Sequence, residues 1–187
     1  MKIFLLDNYD SFTYNIVQLL KCIGTYPVVR RDTDITISEI EFMCPDRIVI
    51  SPGPMRPGDH PLIFEIIKRF HTVVPIFGVC LGMQAINEFF GGRINEASVP
   101  VHGKTSLIYH NSEQLFSGIP SPFSAARYHS LVVDEVASQL KVIARTGDGI
   151  VMALRHDTFP VCGVQFHPES YMSEYGMEII SNFLNGS

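Results

Sequence analysis

The sequence predicts an α/β fold: a mainly parallel, open sheet flanked by helices, with an additional antiparallel β region in the C-terminal half. Through the first half, short apolar runs alternate with segments of helical periodicity, the order that produces parallel strands joined by crossover helices. From about residue 93 to 166, strand-like runs are separated by Gly, Pro, Asn and Asp, which favours antiparallel strands on the same sheet. With 187 residues, 46% of them hydrophobic, the chain can build the core of one domain spanning 1–187.

The first half contains four predicted strands and four predicted helices. The strands are short apolar runs at 2–6, 26–30, 47–51 and 73–79. The helices are expected at 12–23, 38–43, 62–71 and from about 81 to Gly91. Asp10 or Ser11 is expected to cap the first helix, and Ser38 with Glu41 has the spacing of a capping box. Four prolines and two glycines predict that residues 52–61 form a loop.

The second half contains five further predicted strands and one helix. The strands are expected at 106–110, 123–133, 140–146, 150–156 and 160–166. A last helix over about 173–185 ends at Asn185-Gly186. There is no internal repeat or low-complexity segment, so a single domain is the simplest interpretation.

Composition argues against several classes of function. The net charge is −5 and there is no Lys/Arg-rich cluster, so we expect no nucleic-acid partner. The longest apolar stretch, Val73 to Met83, is too short to span a bilayer and is broken by Gly78 and Gly82, so we expect no membrane association. Four cysteines are too few for a disulfide framework and no signal peptide is recognisable, so we expect a cytoplasmic protein.

Cys80 lies in the sequence GVCLG, between a predicted strand and a predicted helix. A strand, a Gly-x-Cys-x-Gly turn and a helix form the cysteine version of a nucleophile elbow. Side chains at positions 78 and 82 would collide in so sharp a turn, which explains Gly78 and Gly82. The helix N-terminus favours the thiolate, and the backbone N–H of Leu81 is placed to receive an oxyanion. The sequence context therefore favours a nucleophile over an inert core thiol.

His167 and Glu169 lie two positions apart in GVQFHPES, directly after a predicted strand. In an extended segment both side chains point the same way, and Pro168 keeps the segment extended. Glu169 can accept a hydrogen bond from Nδ1–H of His167, which leaves Nε2 for a thiol and its leaving group. The pair is thus a candidate base and orienting group for Cys80.

The remaining cysteines, and the motifs typical of metal and phosphate binding, give no further candidate site. Cys22, Cys44 and Cys162 lie within or beside predicted elements and are expected to be structural. The chain has no His-x3-His or Cys-x2-Cys pairing, so we expect no metal site. The segment GPMRPGD lacks the Gly-Lys-Ser/Thr ending of a phosphate-binding loop.

Nearly the whole chain resembles the class I glutamine amidotransferases. The resemblance rests first on GVCLGMQ (78–84), GVQFHPES (163–170) and SPGP (51–54). LLDNYDSFTYN (5–15), VHGKTS (101–106) and RYHSL (127–131) narrow it to the branch that serves chorismate-using synthases. The resemblance implies the fold of that family, which is flavodoxin-like.

The resemblance also implies a reaction. Cys80 would attack the side-chain amide of L-glutamine, and the oxyanion would bind backbone N–H groups at Gly53 and Leu81. His167 would protonate the departing ammonia and then activate water, while Glu169 would fix its tautomer.

The same resemblance implies a set of residues that bind glutamine. They are Gly53, Pro54, Gln84, Ser130 and Leu131, with Ser130 and Leu131 acting through their backbone. No cofactor is implied in this chain, and Mg²⁺ is expected in the partner synthase.

Two positions depart from the pattern usual in this branch. Gly82-Met83-Gln84 stands where Gly-His-Gln is usual, and Met83 occurs in other amidotransferase branches. Met55 stands where a glycine usually follows SPGP. Because Met does not readily adopt a positive φ, we expect either a different loop geometry or a position that does not need that conformation.

The implied partner is a chorismate-using synthase, component I, on a separate chain. We favour anthranilate, of tryptophan biosynthesis, as its product, with aminodeoxychorismate, of folate biosynthesis, or both products as the alternative. A more remote alternative is another cysteine-elbow hydrolase, such as a γ-glutamyl hydrolase. The polar and aromatic residues of DNYDSF and VHGKTS, interpreted as loops, are expected near the partner surface, although turn chemistry alone would also explain their composition.

Overall fold

The structure is a computed structural model and describes residues 1–186. Its sheet contains nine strands, which in chain order are β1 (Ile3–Asp7), β2 (Val28–Arg31), β3 (Arg47–Ile50), β4 (Ile76–Val79), β5 (Arg93–His110), β6 (Phe123–Glu135), β7 (Leu140–Thr146), β8 (Val151–His156) and β9 (Val161–Val164). Its α-helices are α1 (Thr13–Cys22), α2 (Ile37–Met43), α3 (Pro61–Phe70), α4 (Leu81–Phe89) and α5 (Gly176–Asn185).

The predicted mixture of parallel and antiparallel strands is confirmed. The strand order is β2-β1-β3-β4-β9-β8-β7-β5-β6. The first five strands in this order pair in parallel, and the remaining pairs are antiparallel. β1 and β4, in the parallel part, are buried along their whole length, as expected when helices cover both faces of a sheet.

Two apolar clusters, one on each face of the sheet, hold the helices. One cluster contains side chains of α1 and α5, including Ile16 and Phe183. The other contains side chains of α2, α3 and α4, including Ile40, Ile66 and Ile86. The alternation of apolar residues at helical spacing produces this arrangement, because each amphipathic helix turns one stripe toward the sheet.

The connections from β1 place a crevice at the carboxyl edge of the sheet. The chain leaves β1 to form β2 on one side and then returns to form β3 on the other. Open α/β sheets bind ligands where the strand order reverses in this way. The loops after β1, β3 and β4 therefore meet at one edge, and the last of them begins with Cys80.

The far edge of the sheet curls back toward the parallel half. Ala126 of β6 forms an isolated antiparallel bridge with His167, and the His167 N–H donates to the Ala126 carbonyl at 2.9 Å. This bridge holds the backbone of His167, the predicted base, which lies three residues after β9. The strand that holds it, β6, is not a neighbour of β9 in the sheet.

The capping box predicted for α2 was assigned to the wrong residues. It is formed by Thr36 and Glu39, not by Ser38 and Glu41. The Thr36 side chain accepts from the Glu39 N–H, and the Glu39 carboxylate accepts from the Thr36 N–H at 2.8 Å. The helix itself begins at Ile37, one residue before the predicted cap, so the whole motif is displaced toward the N-terminus.

Two other local predictions were also wrong. Phe12 occupies the N-cap of α1 in place of Asp10 or Ser11, although the Asp10 carboxylate accepts a hydrogen bond from the Phe12 N–H. β5 begins at Arg93, much earlier than the strand predicted at 106–110. Register shifts along its pairing with β6 allow the irregular polar residues after Arg93 to stay paired with that strand.

Candidate active site

Cys80 lies on a sharp turn between β4 and α4 with strained backbone dihedrals. Its φ is 52° and its ψ is −99°, a conformation that costs free energy for any residue with a side chain. The Cys80 N–H donates to the Val164 carbonyl at 2.7 Å, and its own carbonyl accepts from the Gln84 N–H at 3.1 Å. These two bonds fix the strained turn from the sheet side and from the helix side.

Glycine is needed on both sides of this turn. A Cβ at Gly78 would collide with the backbone of Gly82. A Cβ at Gly82 would lie 2.7 Å from the carbonyl oxygen of Ile50 on β3. Because both obstacles are backbone atoms, which cannot rotate away, the GVCLG spacing is a packing requirement of the elbow.

His167 and Glu169 form a buried pair beside the elbow. Nδ1 of His167 lies 2.6 Å from Oε1 of Glu169, so the ring donates from Nδ1 and keeps Nε2 for another group. Within residues 1–186, Nε2 of His167 and Oε2 of Glu169 are buried and have no hydrogen-bond partner. Burial disfavours the charged ring, but the Glu169 carboxylate and the nearby Cys80 outweigh it, so the pKa of His167 is raised well above its ordinary value.

Aromatic rings fix the orientation of His167. Phe12 and Tyr128 pack edge-on against the imidazole, with ring centroids at 5.6 and 5.1 Å. The Ser173 hydroxyl donates to the His167 carbonyl at 2.6 Å and accepts from the Ala126 N–H at 2.9 Å. The sequence predicted Phe12 as the first residue of the helix at 12–23, and its contact with His167 depends on the tertiary fold.

The loop that contains Gly53 lies directly against the elbow. A Cβ at Gly53 would collide with the Leu81 side chain and would lie 2.8 Å from Cβ of Asn8. Asn8, which follows β1, donates from its side chain to the Ser51 carbonyl at 3.0 Å and from its backbone to Ser51 Oγ at 2.9 Å. The two predicted oxyanion positions, Gly53 and Leu81, are thus brought together, and Asn8 holds the start of the loop.

The backbone conformation of Met55 differs from the one expected from the sequence. We expected either a changed loop geometry or a position that does not need a positive φ, yet Met55 itself adopts φ of 62°. Its side chain is exposed, so the conformation is set by the backbone of the loop. A left-handed conformation costs a residue other than glycine roughly 1–2 kcal/mol, which neighbouring anchors must offset.

A chain of hydrogen bonds links Gln84 to the thiol. The Gln84 side chain donates to the Leu131 carbonyl and to Oε1 of Gln165, both at 3.1 Å. Gln165 in turn donates to Sγ of Cys80 at 3.4 Å. Gln84 and Leu131, both predicted to bind substrate, therefore lie together, and Gln165 is a site residue that sequence reasoning missed although it lies within GVQFHPES.

A cavity of about 400 Å³ opens beside these residues. Its lining includes Met55, Arg56, Ser130 and Leu131. Ser130 is exposed at its rim, and the Pro54 carbonyl, one residue before Met55, accepts a hydrogen bond from His60. Of the residues predicted to bind glutamine, Ser130 and Leu131 line this cavity, and Pro54 directly precedes Met55 in its wall.

Two further observations concern metals and membranes. No cluster of three or more His, Cys, Asp or Glu side chains in residues 1–186 is arranged to hold a metal ion. No helix in the described part of the chain combines the length and the apolar character needed to cross a membrane.

The fold and the site together define an α/β protein with a cysteine elbow facing a histidine–carboxylate pair. Comparison with known families gives the class: residues 4–186 match the family model described as glutamine amidotransferase class-I. The chain belongs to this family.

Relatives with curated names include component 2 of anthranilate synthases, component 2 of an aminodeoxychorismate synthase, and a protein that carries both names. The chain is 48% identical to the aminodeoxychorismate/anthranilate synthase component 2 of Bacillus subtilis (strain 168), covering 97% of this chain and 95% of that protein. It is 48% identical to anthranilate synthase component 2 of Thermus thermophilus, with 98% and 92% covered. It is 43% identical to aminodeoxychorismate synthase component 2 of Klebsiella aerogenes, with 98% and 99% covered.

Solved structures agree on the fold. A chain described as a GMP synthase protein of Thermoplasma acidophilum superposes with a TM-score of 0.87 at 25% identity, covering 98% of this chain and 92% of that chain. A glutamine amidotransferase of Thermotoga maritima gives a TM-score of 0.75 at 14% identity, covering 90% and 76%, and supports the fold alone.

Proposed function

We propose that this chain is the glutaminase subunit of a two-chain, chorismate-using synthase. The observation that carries the proposal is the strained elbow of Cys80 beside the buried His167–Glu169 pair. Relatives covered over nearly their full length are named component 2 of anthranilate or aminodeoxychorismate synthases, which supports a partner component on another chain.

The proposed chemistry begins with attack of Cys80 Sγ on the side-chain amide carbon of glutamine. Backbone N–H groups at Gly53 and Leu81 bind the resulting oxyanion. His167 then donates its Nε2 proton to the departing nitrogen, so that ammonia leaves and a glutamyl thioester remains. The raised pKa of His167 supports this role, because the ring holds a proton until the leaving group needs it.

The second half of the reaction restores the enzyme. His167, now neutral, removes a proton from water at Nε2, and the hydroxide attacks the thioester to release glutamate and the thiolate. Glu169 stabilises the imidazolium and keeps Nδ1 protonated throughout. Gln84 and the backbone of Ser130 and Leu131 hold the amino-acid end of the substrate.

The released ammonia passes to the partner before water protonates it. In this proposal the partner contains the Mg²⁺ and the chorismate site. DNYDSF and VHGKTS contribute to the partner surface: Tyr9 is exposed, and both Phe12 and Gly103 lie against Tyr128, whose ring packs on His167. VHGKTS was expected to be a loop but lies within β5, where the register shifts between residues 102 and 104.

The pathway can be tested directly on the complex. A tagged form of the chain is captured from its native lysate, glutamine, chorismate and Mg²⁺ are added, and the aromatic product is identified with Cys80→Ser as the control. We expect anthranilate whose formation needs Cys80, and aminodeoxychorismate would assign the folate branch. Absence of any Cys80-dependent amination by a complex that contains a synthase would contradict the proposal.

A further inference from the structure

We propose that His60, paired with Asp32, is a positioning residue that fixes the loop carrying the oxyanion donor at Gly53. This inference rests on the proposed glutaminase reaction. The sequence predicted His60 only as part of the loop at 52–61, with no chemical role. It lies at the residue before α3, and it contacts neither Cys80 nor His167 in the hydrogen-bond network described above.

The contacts of His60 join two loops of the crevice. Nε2 of His60 lies 3.0 Å from the Pro54 carbonyl oxygen, and Nδ1 lies 3.0 Å from Oδ2 of Asp32. Asp32 directly follows β2, whereas Pro54 follows β3, and β1 lies between those two strands. The ring therefore ties together the loops on either side of β1.

Both ring nitrogens of His60 face oxygen atoms that accept hydrogen bonds. Nε2 faces a peptide carbonyl and Nδ1 faces a carboxyl group. The side chains of His60 and Asp32 are only 5% and 14% exposed, so water competes little for either contact. The ring is therefore held on both sides, and it can transmit the position of Asp32 to the loop at Pro54.

The position of this pair suits a loop under strain. Gly53 and Met55 flank Pro54, and Met55 is held at a positive φ. Asn8 anchors the loop at Ser51, upstream of Gly53, and His60 anchors it at Pro54, immediately downstream. With an anchor on each side, the Gly53 N–H keeps its direction when charge develops on the substrate oxygen, which is the condition for electrostatic catalysis.

The role can be separated from simple stabilisation because the two ring nitrogens can be replaced one at a time. In His60→Asn the amide nitrogen takes the place of Nδ1, so the bond toward position 32 is kept and the bond to Pro54 is lost. In His60→Gln the amide nitrogen takes the place of Nε2, so the bond to Pro54 is kept. Both substitutions are combined with Asp32→Asn, so that neither leaves a buried carboxylate without a hydrogen-bond partner.

The experiment measures glutamine hydrolysis by the complex with the partner synthase. For the His60→Asn variant we expect kcat to fall about tenfold or more, with KM changed less than about threefold, because the loss concerns the transition state. For the His60→Gln variant we expect kcat within about threefold of the wild type. Alkylation of Cys80 by iodoacetamide, followed by peptide mass spectrometry, should proceed equally in both, because it needs no oxyanion donor.

Arg69→Ala is the matched control. Arg69 of α3 pairs with Glu41 of α2 at an exposed site, so its loss disturbs the helix that follows His60 without touching the loop. We expect its kcat to equal that of the wild type.

The inference is overturned if the His60→Asn and His60→Gln variants lose kcat equally, if both keep it, or if Cys80 alkylation falls in parallel with turnover. Failure of the proposed function is a different result. In that case a Cys80→Ser variant would release ammonia from glutamine as fast as the wild type.

Discussion

Two buried histidines, one after β9 and one at the end of β8, show how the proposed active site differs from a structural site. Nδ1 of His156 accepts the N–H groups of Thr158 and Phe159, each at 3.0 Å, while Nε2 pairs with Oε1 of Gln139 at 3.2 Å. His167 has one nitrogen paired with Glu169, and its other nitrogen has no hydrogen-bond partner among residues 1–186.

The two environments shift the pKa values in opposite directions. Burial lowers the pKa of His156 below its ordinary value of 6.5, and the bonds it makes suit the neutral ring. Burial also disfavours the charged form of His167, but Glu169 and Cys80 favour that form more strongly, so its pKa is raised. A buried polar atom without a partner is rare in a folded protein, so Nε2 of His167 is where the proposal places the reacting groups.

The largest expected effect follows from removal of the group that His167 faces. Cys80→Ala should lower kcat for glutamine hydrolysis at least about a thousandfold, because no covalent intermediate can form. Cys44→Ala, at an exposed thiol, is the control and should keep full activity. Ammonia release, measured in the complex, distinguishes the two. Equal rates for both variants would remove Cys80 from the mechanism.

The carboxylate partner of His167 should matter to catalysis, and the amide partner of His156 should not. Glu169→Gln should lower kcat by about a hundredfold or more, since the imidazolium loses its counter-charge and the tautomer is no longer fixed. Gln139→Ala should leave kcat unchanged and lower the free energy of unfolding by about 1 kcal/mol, the value of one hydrogen bond. Initial rates and urea unfolding check both variants, and reversal of the pattern would show that the two sites have been assigned wrongly.

The two histidines should also give opposite dependences of stability on pH. The folded pKa of His156 is lowered, so its contribution is complete above 6.5 and is lost as the pH falls below that value. The folded pKa of His167 is raised, so its contribution is complete below 6.5 and is lost as the pH rises through the folded pKa.

Urea unfolding between about pH 5.5 and about pH 8.5 tests this contrast. Relative to the wild type, His156→Gln should flatten the acid side of the stability profile, and His167→Gln should flatten the alkaline side. If both variants flatten the same side, one of the two pKa directions is wrong.

The smallest effect concerns the strained loop beside the elbow. Met55→Gly should raise the free energy of unfolding by up to about 1 kcal/mol, because glycine adopts φ of 62° without steric cost while it also makes the unfolded chain more flexible. Since the Met55 side chain is exposed, kcat should stay within about twofold. Thermal unfolding and initial rates provide the check, and Met55→Ala, which keeps a Cβ at this position, is the control. A destabilised glycine variant would show that the Met55 side chain stabilises the loop.

The parts of the candidate site that could be predicted are those whose residues lie close together in the chain. GVCLG predicts the elbow because the two glycines, the cysteine and the helix start are contiguous, and the structure places a strained turn there. His167 and Glu169 could be paired because an extended segment puts alternate side chains on one side. The alternation of apolar runs and helical periods was enough to predict β1, β2, β3 and β4 as parallel strands. β9 lies in the region that was expected to be antiparallel, yet it pairs in parallel with β4.

The rest of the site depends on contacts between segments that are distant in the chain. His60 lies 28 residues from Asp32, and the Gln165 side chain reaches Gln84 across a separation of 81 residues. Such pairs follow from strand order, which a single sequence does not specify. The bridge from β6 to His167 was not predictable for the same reason, since it results from the curl of the whole sheet.

The central claim is that Cys80 forms a glutamyl thioester which His167 helps to make and to hydrolyse. The direct measurement is an acid quench of the complex during turnover of isotopically labelled glutamine, followed by mass spectrometry of the peptides that contain cysteine. We predict a glutamyl adduct on Cys80, none on Cys44, and none on Cys80 in the His167→Gln variant. Steady release of ammonia with no adduct on Cys80 in the wild type, or an unchanged adduct in the His167→Gln variant, would contradict the account.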